Sequence, residues 1–86
     1  MASKPSRLSV YARSIREHTN CTAREAELLE VIMLHNIFHS TALDWVRPDQ
    51  FRTASLEAIT ILDDFRAVGN MPEIWRRFLA GENVVL

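Results

Sequence analysis

Apolar residues recur at helical spacing along most of the chain. Four of them fall on the same face of a first predicted helix: Leu8, Tyr11, Ala12 and Ile15. We expect this helix to begin at Arg7, with Ser6 as its N-cap. Residues 19–21 have poor helix propensity and should end it.

A second helix has the clearest start signal in the sequence. Thr22 and Glu25 are spaced as in a capping box, in which each side chain binds the backbone amide of the other residue. The segment from Leu28 to about Leu43 is then apolar on nearly every side, which indicates a central helix or one shared with another subunit. Because Pro48 is a barrier that the helix should not cross, we expect its end between His39 and Val46.

A third helix is predicted from Asp49 or Thr53 to Val68, with Gly69 as a left-handed carboxyl-terminal cap. Its apolar stripe consists of Phe51, Ala58, Leu62 and Phe65. Four more apolar residues support this stripe: Leu56, Ile59, Ile61 and Val68.

A short fourth helix follows, with Pro72 in its first turn and Gly81 beyond its end. Four of its residues are expected to point inward: Ile74, Trp75, Phe78 and Leu79.

These elements predict an all-α fold, a compact bundle of about four helices around a central, largely apolar second helix. Residues 1–6 are expected to be a flexible lead-in, 7–82 a single helical domain and 83–86 an apolar tail. Two glycines and three prolines are too few for the frequent turns of an all-β fold.

The net charge of −1 gives the whole chain no bulk attraction for nucleic acid or an anionic membrane. The charges are nevertheless unevenly distributed. Residues 1–24 carry five basic side chains against one acidic, whereas residues 25–65 carry eight acidic against two basic. This asymmetry fits either attraction between neighbouring helices or a basic arm that binds an acidic partner or phosphate.

A cytoplasmic location is the default expectation. The single cysteine, Cys21, cannot form an intramolecular disulfide, and no stretch resembles a signal peptide. The longest apolar run, Val31 to Phe38, is too short to cross a bilayer. We expect no membrane contact.

His35 and His39 are the candidates for a metal site, since residues four apart project from one helix face. Asn36 occupies the position of the glutamate in the zinc-protease pattern, and no further ligand has a diagnostic spacing. The sequence predicts neither an enzyme nor a cofactor; metal-dependent activity at these two histidines is the alternative. Asp63-Asp64 is expected to pair with Arg66 or Arg76, and Cys21 to be an inert loop thiol.

Nucleic-acid binding is an alternative function. The basic segment from Lys4 to Arg24 could contact phosphates. A turn and helix start at 47–55 place Gln50, Arg52, Thr53 and Ser55 where a recognition helix would read bases. The acidic surroundings of this turn oppose that interpretation.

The leading hypothesis is a non-enzymatic protein–protein interaction module, an adaptor, inhibitor or regulator. Tryptophan and arginine dominate binding hot spots, and more apolar surface is present than four short helices can bury. The candidate contact residues are Trp45, Trp75, Arg76, Arg77, Val84, Val85 and Leu86. Homodimerisation is a further expectation, through Val31, Leu34 and Phe38.

Overall fold

Helix α1, Val10–His18, begins the part of the chain that the computed structural model describes. The described stretches are residues 9–39, residue 43 and residues 45–86. The Ser9 hydroxyl caps α1 by accepting a hydrogen bond from the backbone amide three residues later, at 3.0 Å. The predicted lead-in, the predicted start at Arg7 and the predicted cap Ser6 lie outside the described residues. The predicted break at 19–21 is confirmed.

Helix α2, Ala23–Ile32, begins with the predicted capping box. The backbone amide of Glu25 donates to the Thr22 hydroxyl at 3.1 Å, and the amide of Thr22 donates to the Glu25 carboxylate at 2.9 Å. Both hydrogen bonds satisfy amides that a helix start leaves without intrahelical partners.

A π-helical turn, Met33–Ile37, continues α2 and ends the helical segment. Its last hydrogen bond runs from the amide of Phe38 to the carbonyl of Met33 at 2.8 Å, five residues back instead of four. The chain then leaves the helix, and His39 has a left-handed φ of 53°. The predicted end between His39 and Val46 is therefore wrong, because the segment stops at Ile37.

Helix α3, Pro48–Val68, starts one residue before the earlier of the two predicted positions, with Pro48 in its first turn. Gly69, with a φ of 68°, ends it as predicted. Of the predicted stripe, Phe51, Ala58 and Leu62 are buried and Phe65 is half-buried. The prediction that Leu56 and Val68 support this apolar stripe is wrong, because their side chains are 53% and 72% exposed.

Helix α4, Glu73–Leu79, follows Pro72, and Gly81 lies just beyond its end. Phe78 is buried, while Trp75 and Leu79 are half-buried, as the predicted inward face requires. The inward placement of Ile74 is wrong, because this residue is 42% exposed.

The core lies around α2, which packs against α1, α3 and α4. The second helix is thus the central one, as its apolar composition predicts. Its segment buries five apolar residues: Ala26, Leu28, Leu29, Ile32 and Met33. Over the described stretches the fold is a small all-α bundle of four α-helices without strands. No helix in these stretches is both long and apolar enough to cross a membrane.

Candidate protein-binding groove

A groove of about 450 Å³ lies between the end of α3 and helix α4. It forms because Gly69 ends α3 in a left-handed conformation and turns the chain toward α4. Seven residues line it: Phe65, Arg66, Gly69, Met71, Arg76, Leu79 and Ala80. We call this surface the α3–α4 groove. A concave surface with apolar side chains and a few charged ones is typical of binding sites.

Trp75 packs against Phe65, a lining residue of the α3–α4 groove. Its ring meets the ring of Phe65 edge to face, with the centroids 5.3 Å apart and an interplanar angle of 88°. Such pairs contribute about 0.5–1.5 kcal/mol beyond the burial of their area. Trp75 therefore fixes the position of Phe65 instead of lining the groove itself.

The two arginines of the groove differ in their partners. Arg66 donates to the Glu25 carboxylate at 2.7 Å and lies 3.7 Å from that of Asp63. The predicted pairing of the Asp63-Asp64 segment is thus confirmed for Asp63. Arg76 is exposed and forms no ion pair with any residue in the described stretches. The groove therefore has a positive charge at its rim that no carboxylate of the described residues neutralises.

Glu25, in the first turn of α2, binds Arg66 of the groove. The hydrogen bond from the Thr22 backbone amide, and then that from Arg66, hold the pKa of Glu25 below its usual value of 4.5, against the opposite effect of burial. Glu25 thus stays ionised and keeps Arg66 bound to α2.

The structure separates the residues predicted to bind a partner. Trp75 and Arg76 belong to the α3–α4 groove or its support, but Arg77 points to Glu82, with a distance of 2.8 Å between Nε and the carboxylate. The hydrogen bond and the charge of Glu82 raise the pKa of Arg77 above its usual value. Trp45 is far in sequence from the residues of the α3–α4 groove. It is 59% exposed and packs edge to face on Phe38.

The predicted apolar tail folds back in part. Val84 is half-buried, and it lines a second groove of about 300 Å³ together with Val31 and Leu86. Val85 is 88% exposed and Leu86 is 38% exposed. The tail thus occupies part of the surface of α2.

The residues predicted for dimerisation do not form one exposed stripe. Val31, Leu34 and Phe38 are each half-buried. Leu34 packs against the core, Phe38 also contacts Trp45, and Val31 lies beside the tail. The protein's own side chains therefore cover part of each residue.

His35 and His39 do not occupy successive turns of one α-helix. His35 is in the π-helical turn, and His39 lies beyond the helix end with a positive φ. The geometric premise of the predicted metal pair is thus wrong. Within the described stretches, no three histidine, cysteine or acidic side chains are grouped closely enough to hold an ion.

The turn predicted to contact nucleic acid has its own partners. Arg47 pairs with Asp49 at 3.2 Å. Ser55 is fully buried, and its hydroxyl donates to the carbonyl of Phe51 at 2.8 Å, so its predicted exposure to bases is wrong. In the basic segment, Lys4 and Arg7 lie outside the described residues.

The sequence did not predict the roles of two residues, one that lines the groove and one that holds α4 in place. Met71 lines the groove from the turn before α4, and the pair Gly69 and Pro72 on either side could have indicated a fixed turn there. Arg24 was counted in the basic segment without a named partner, and it binds α4. Cys21 is half-buried, with its sulfur 3.0 Å from the Thr19 hydroxyl, in the loop position expected.

Comparison of this chain with protein-family models, curated proteins and solved structures finds no match.

Proposed function

We propose that this protein is a small, non-enzymatic protein–protein interaction module that binds a partner through the α3–α4 groove. The observation that carries the proposal is an apolar floor on one concave surface together with Arg76, which forms no ion pair with a described residue. Phe65, Met71 and Leu79 are half-buried and supply the floor. Arginine next to apolar and aromatic groups is the composition that dominates binding hot spots.

The shape of the groove favours a protein segment as its occupant. Arg66, Arg76 and Ala80 are exposed members of its lining, so one side of the groove is open to solvent. A partner can cover this side and place its own apolar side chains against Met71 and Leu79, which removes apolar surface from water at about 25 cal/mol per Å². None of the seven lining residues is a histidine, a cysteine or a carboxylate. The groove therefore offers a partner contacts and no acid–base or nucleophilic group.

The proposal also includes a cellular location and excludes one surface from binding. We place the protein in the cytoplasm, on the grounds of its single cysteine and its apolar pattern. The faces around Val31, Leu34 and Phe38 are not included in the binding surface, because each of these side chains is half-buried in the protein itself. Self-association remains an outcome that light scattering would detect.

The test is an affinity capture from lysate of the source cell, with and without nuclease. Three versions of the full chain are compared: wild type, Ala80→Trp and Leu56→Trp. Ala80 is an exposed residue of the groove, so a tryptophan there fills the groove without entering the core. Leu56 is exposed on α3 outside the groove and is the matched control. Circular dichroism confirms that both variants are folded.

The proposal expects a nuclease-resistant protein that wild type and Leu56→Trp retain and Ala80→Trp loses. Retention by all three versions would show that the groove is not the binding site. Recovery of nucleic acid, with proteins lost on digestion, would favour the alternative of a nucleic-acid-binding regulator that uses Lys4 to Arg24 or residues 47–55. Capture of no protein at all would contradict the proposal.

A further inference from the structure

We propose that the segment bound in the α3–α4 groove presents a carboxylate to Arg76, one helical turn away from an apolar side chain that packs on Leu79. This inference rests on the proposed function and adds the chemistry of the partner. It treats Arg76 as the residue that selects the partner.

The two arginines of the groove differ in whether a carboxylate already binds them. Arg66 already has two carboxylates within 4 Å, those of Glu25 and Asp63. Its charge is thus largely satisfied within the protein. Arg76 has no such neighbour among the described residues, and the groove lining contains no acidic residue. An incoming carboxylate therefore meets one unpaired guanidinium and no competing or repelling carboxylate in the lining.

The next arginine on α4 has its own acidic partner. Arg77 is held by Glu82, at 2.8 Å. Glu73 adds to the negative charge felt by Arg77, which contributes to the raised pKa of that guanidinium. Arg77, Glu73 and Glu82 do not line the groove, and the ion pair of this region is formed by Arg77 and Glu82. Arg76 is left as the cation that faces a partner.

Arg76 and Leu79 set the spacing that the partner's side chains need. Arg76 and Leu79 are three apart on α4 and both line the groove, so their side chains share one helix face about 5–6 Å apart at Cβ. A partner that contacts both needs an acidic and an apolar residue at a similar separation. Positions i and i+3 or i+4 of an amphipathic helix supply this separation. A basic or purely apolar segment would leave Arg76 unpaired beneath it, which is costly where water is excluded.

The experiment uses phage-displayed random 12-residue peptides selected on the full-length chain. Selected sequences are made synthetically, each also with its acidic residue changed to the corresponding amide. Their affinities are measured for wild type, Arg76→Gln and Ala80→Trp. Arg16→Gln is the matched control, because Arg16 is an exposed arginine on α1 outside the groove.

The expected peptides contain Asp or Glu three or four positions from a large apolar residue. Changing the acid to its amide, or Arg76 to Gln, should each weaken binding about tenfold, and the two changes together should weaken it no more than one alone. Arg16→Gln should leave the affinity unchanged. The affinity of the acidic peptide for wild type should fall as the salt concentration rises. This dependence on salt should be absent when the same peptide binds Arg76→Gln.

Three results would overturn the inference, and they separate it from the proposed function. If peptides fail to bind Ala80→Trp but bind Arg76→Gln as tightly as wild type, the groove is a binding site and Arg76 does not select its partner. Selection of basic peptides would show the same. Peptides that bind Ala80→Trp as well as wild type, or no selected peptides at all, would contradict both proposals.

Discussion

Arg24 lies directly over the ring of Phe78, with its guanidinium carbon 3.9 Å from the ring centroid. Its Nε also donates to the backbone carbonyl of Phe78 at 3.0 Å, and its Nη2 donates to the carbonyl of Glu82 at 2.6 Å. Arg24 belongs to the first turn of α2, and Phe78 is the buried residue of α4. One side chain thus joins the central helix to the helix that forms a wall of the groove.

Replacing Arg24 by Ala should lower the free energy of unfolding by about 2 kcal/mol. The loss combines a cation–π contact and two hydrogen bonds at a partly exposed site. Arg24→Lys should recover only a minor part, because an ammonium cannot stack on the ring and reach both carbonyls in the same plane. Urea unfolding measures the differences. Arg16→Ala is the control and should stay within about 0.5 kcal/mol of wild type. If Arg24→Ala matched that control, the contact would have no role in stability.

The two tryptophans should differ in fluorescence. Trp45 is 59% exposed, whereas Trp75 is half-buried against Phe65. The Trp45→Phe variant, which retains Trp75 alone, should therefore emit at shorter wavelength and be quenched less by acrylamide than Trp75→Phe. Both variants should give the same spectrum when unfolded in guanidinium chloride. Equal emission of the folded variants would contradict the placement of Trp75.

Ser55 should tolerate loss of its hydroxyl but not an increase in size. Its hydroxyl donates to the Phe51 carbonyl four residues back, a bond that competes with the helix's own hydrogen bonding. Ser55→Ala leaves no group without a partner, because that carbonyl retains its helical amide, and should change stability by less than about 1 kcal/mol. Ser55→Leu must enlarge a fully buried site and should cost about 1–3 kcal/mol. Thermal unfolding of both variants gives the comparison. A large loss in Ser55→Ala would show that the hydroxyl itself is needed.

The sequence predicted best those features that depend on residues close together in the chain. The capping box of Thr22 and Glu25 and the left-handed cap at Gly69 involve only a few consecutive residues, so the residue types suffice. The π-helical turn at Met33–Ile37 has no such local signal. His39 lies beyond this turn, so the expected placement of His35 and His39 on successive turns of one α-helix was wrong.

The site was predicted only in part for the same reason. Trp75 and Arg76 could be chosen by residue type. Their relation to Phe65 and Met71 depends on how the chain turns after α3 and packs α4 on α2, which the sequence does not state. Arg24 shows the converse. Its charge suggested attraction to a neighbouring helix or to a partner but did not identify Phe78, which lies 54 positions away, because helical spacing cannot relate residues so far apart.

Glu25 should make stability depend on pH in the acidic range. Its pKa in the folded protein lies below the usual 4.5, chiefly because of the Thr22 amide and then Arg66. For a carboxylate whose pKa is lower in the folded than in the unfolded state, the unfolded state binds more protons in the interval between the two values. The contribution of Glu25 is therefore complete above about pH 5, and it is lost as the pH falls through the lower, folded-state pKa.

Glu25→Gln tests this directly. At pH 7 the variant should be less stable than wild type by on the order of 1 kcal/mol, because the amide keeps the shape of the side chain but loses the charge that Arg66 and the Thr22 amide bind. The difference should shrink as the pH is lowered from 5 to 3, because wild type then loses the same charge. Urea unfolding at several pH values measures it. Glu57→Gln is the control, since Glu57 is exposed on α3, and its difference from wild type should stay small throughout. A difference for Glu25→Gln that stayed constant between pH 5 and 3 would mean that the ionised form of Glu25 is not what stabilises the start of α2.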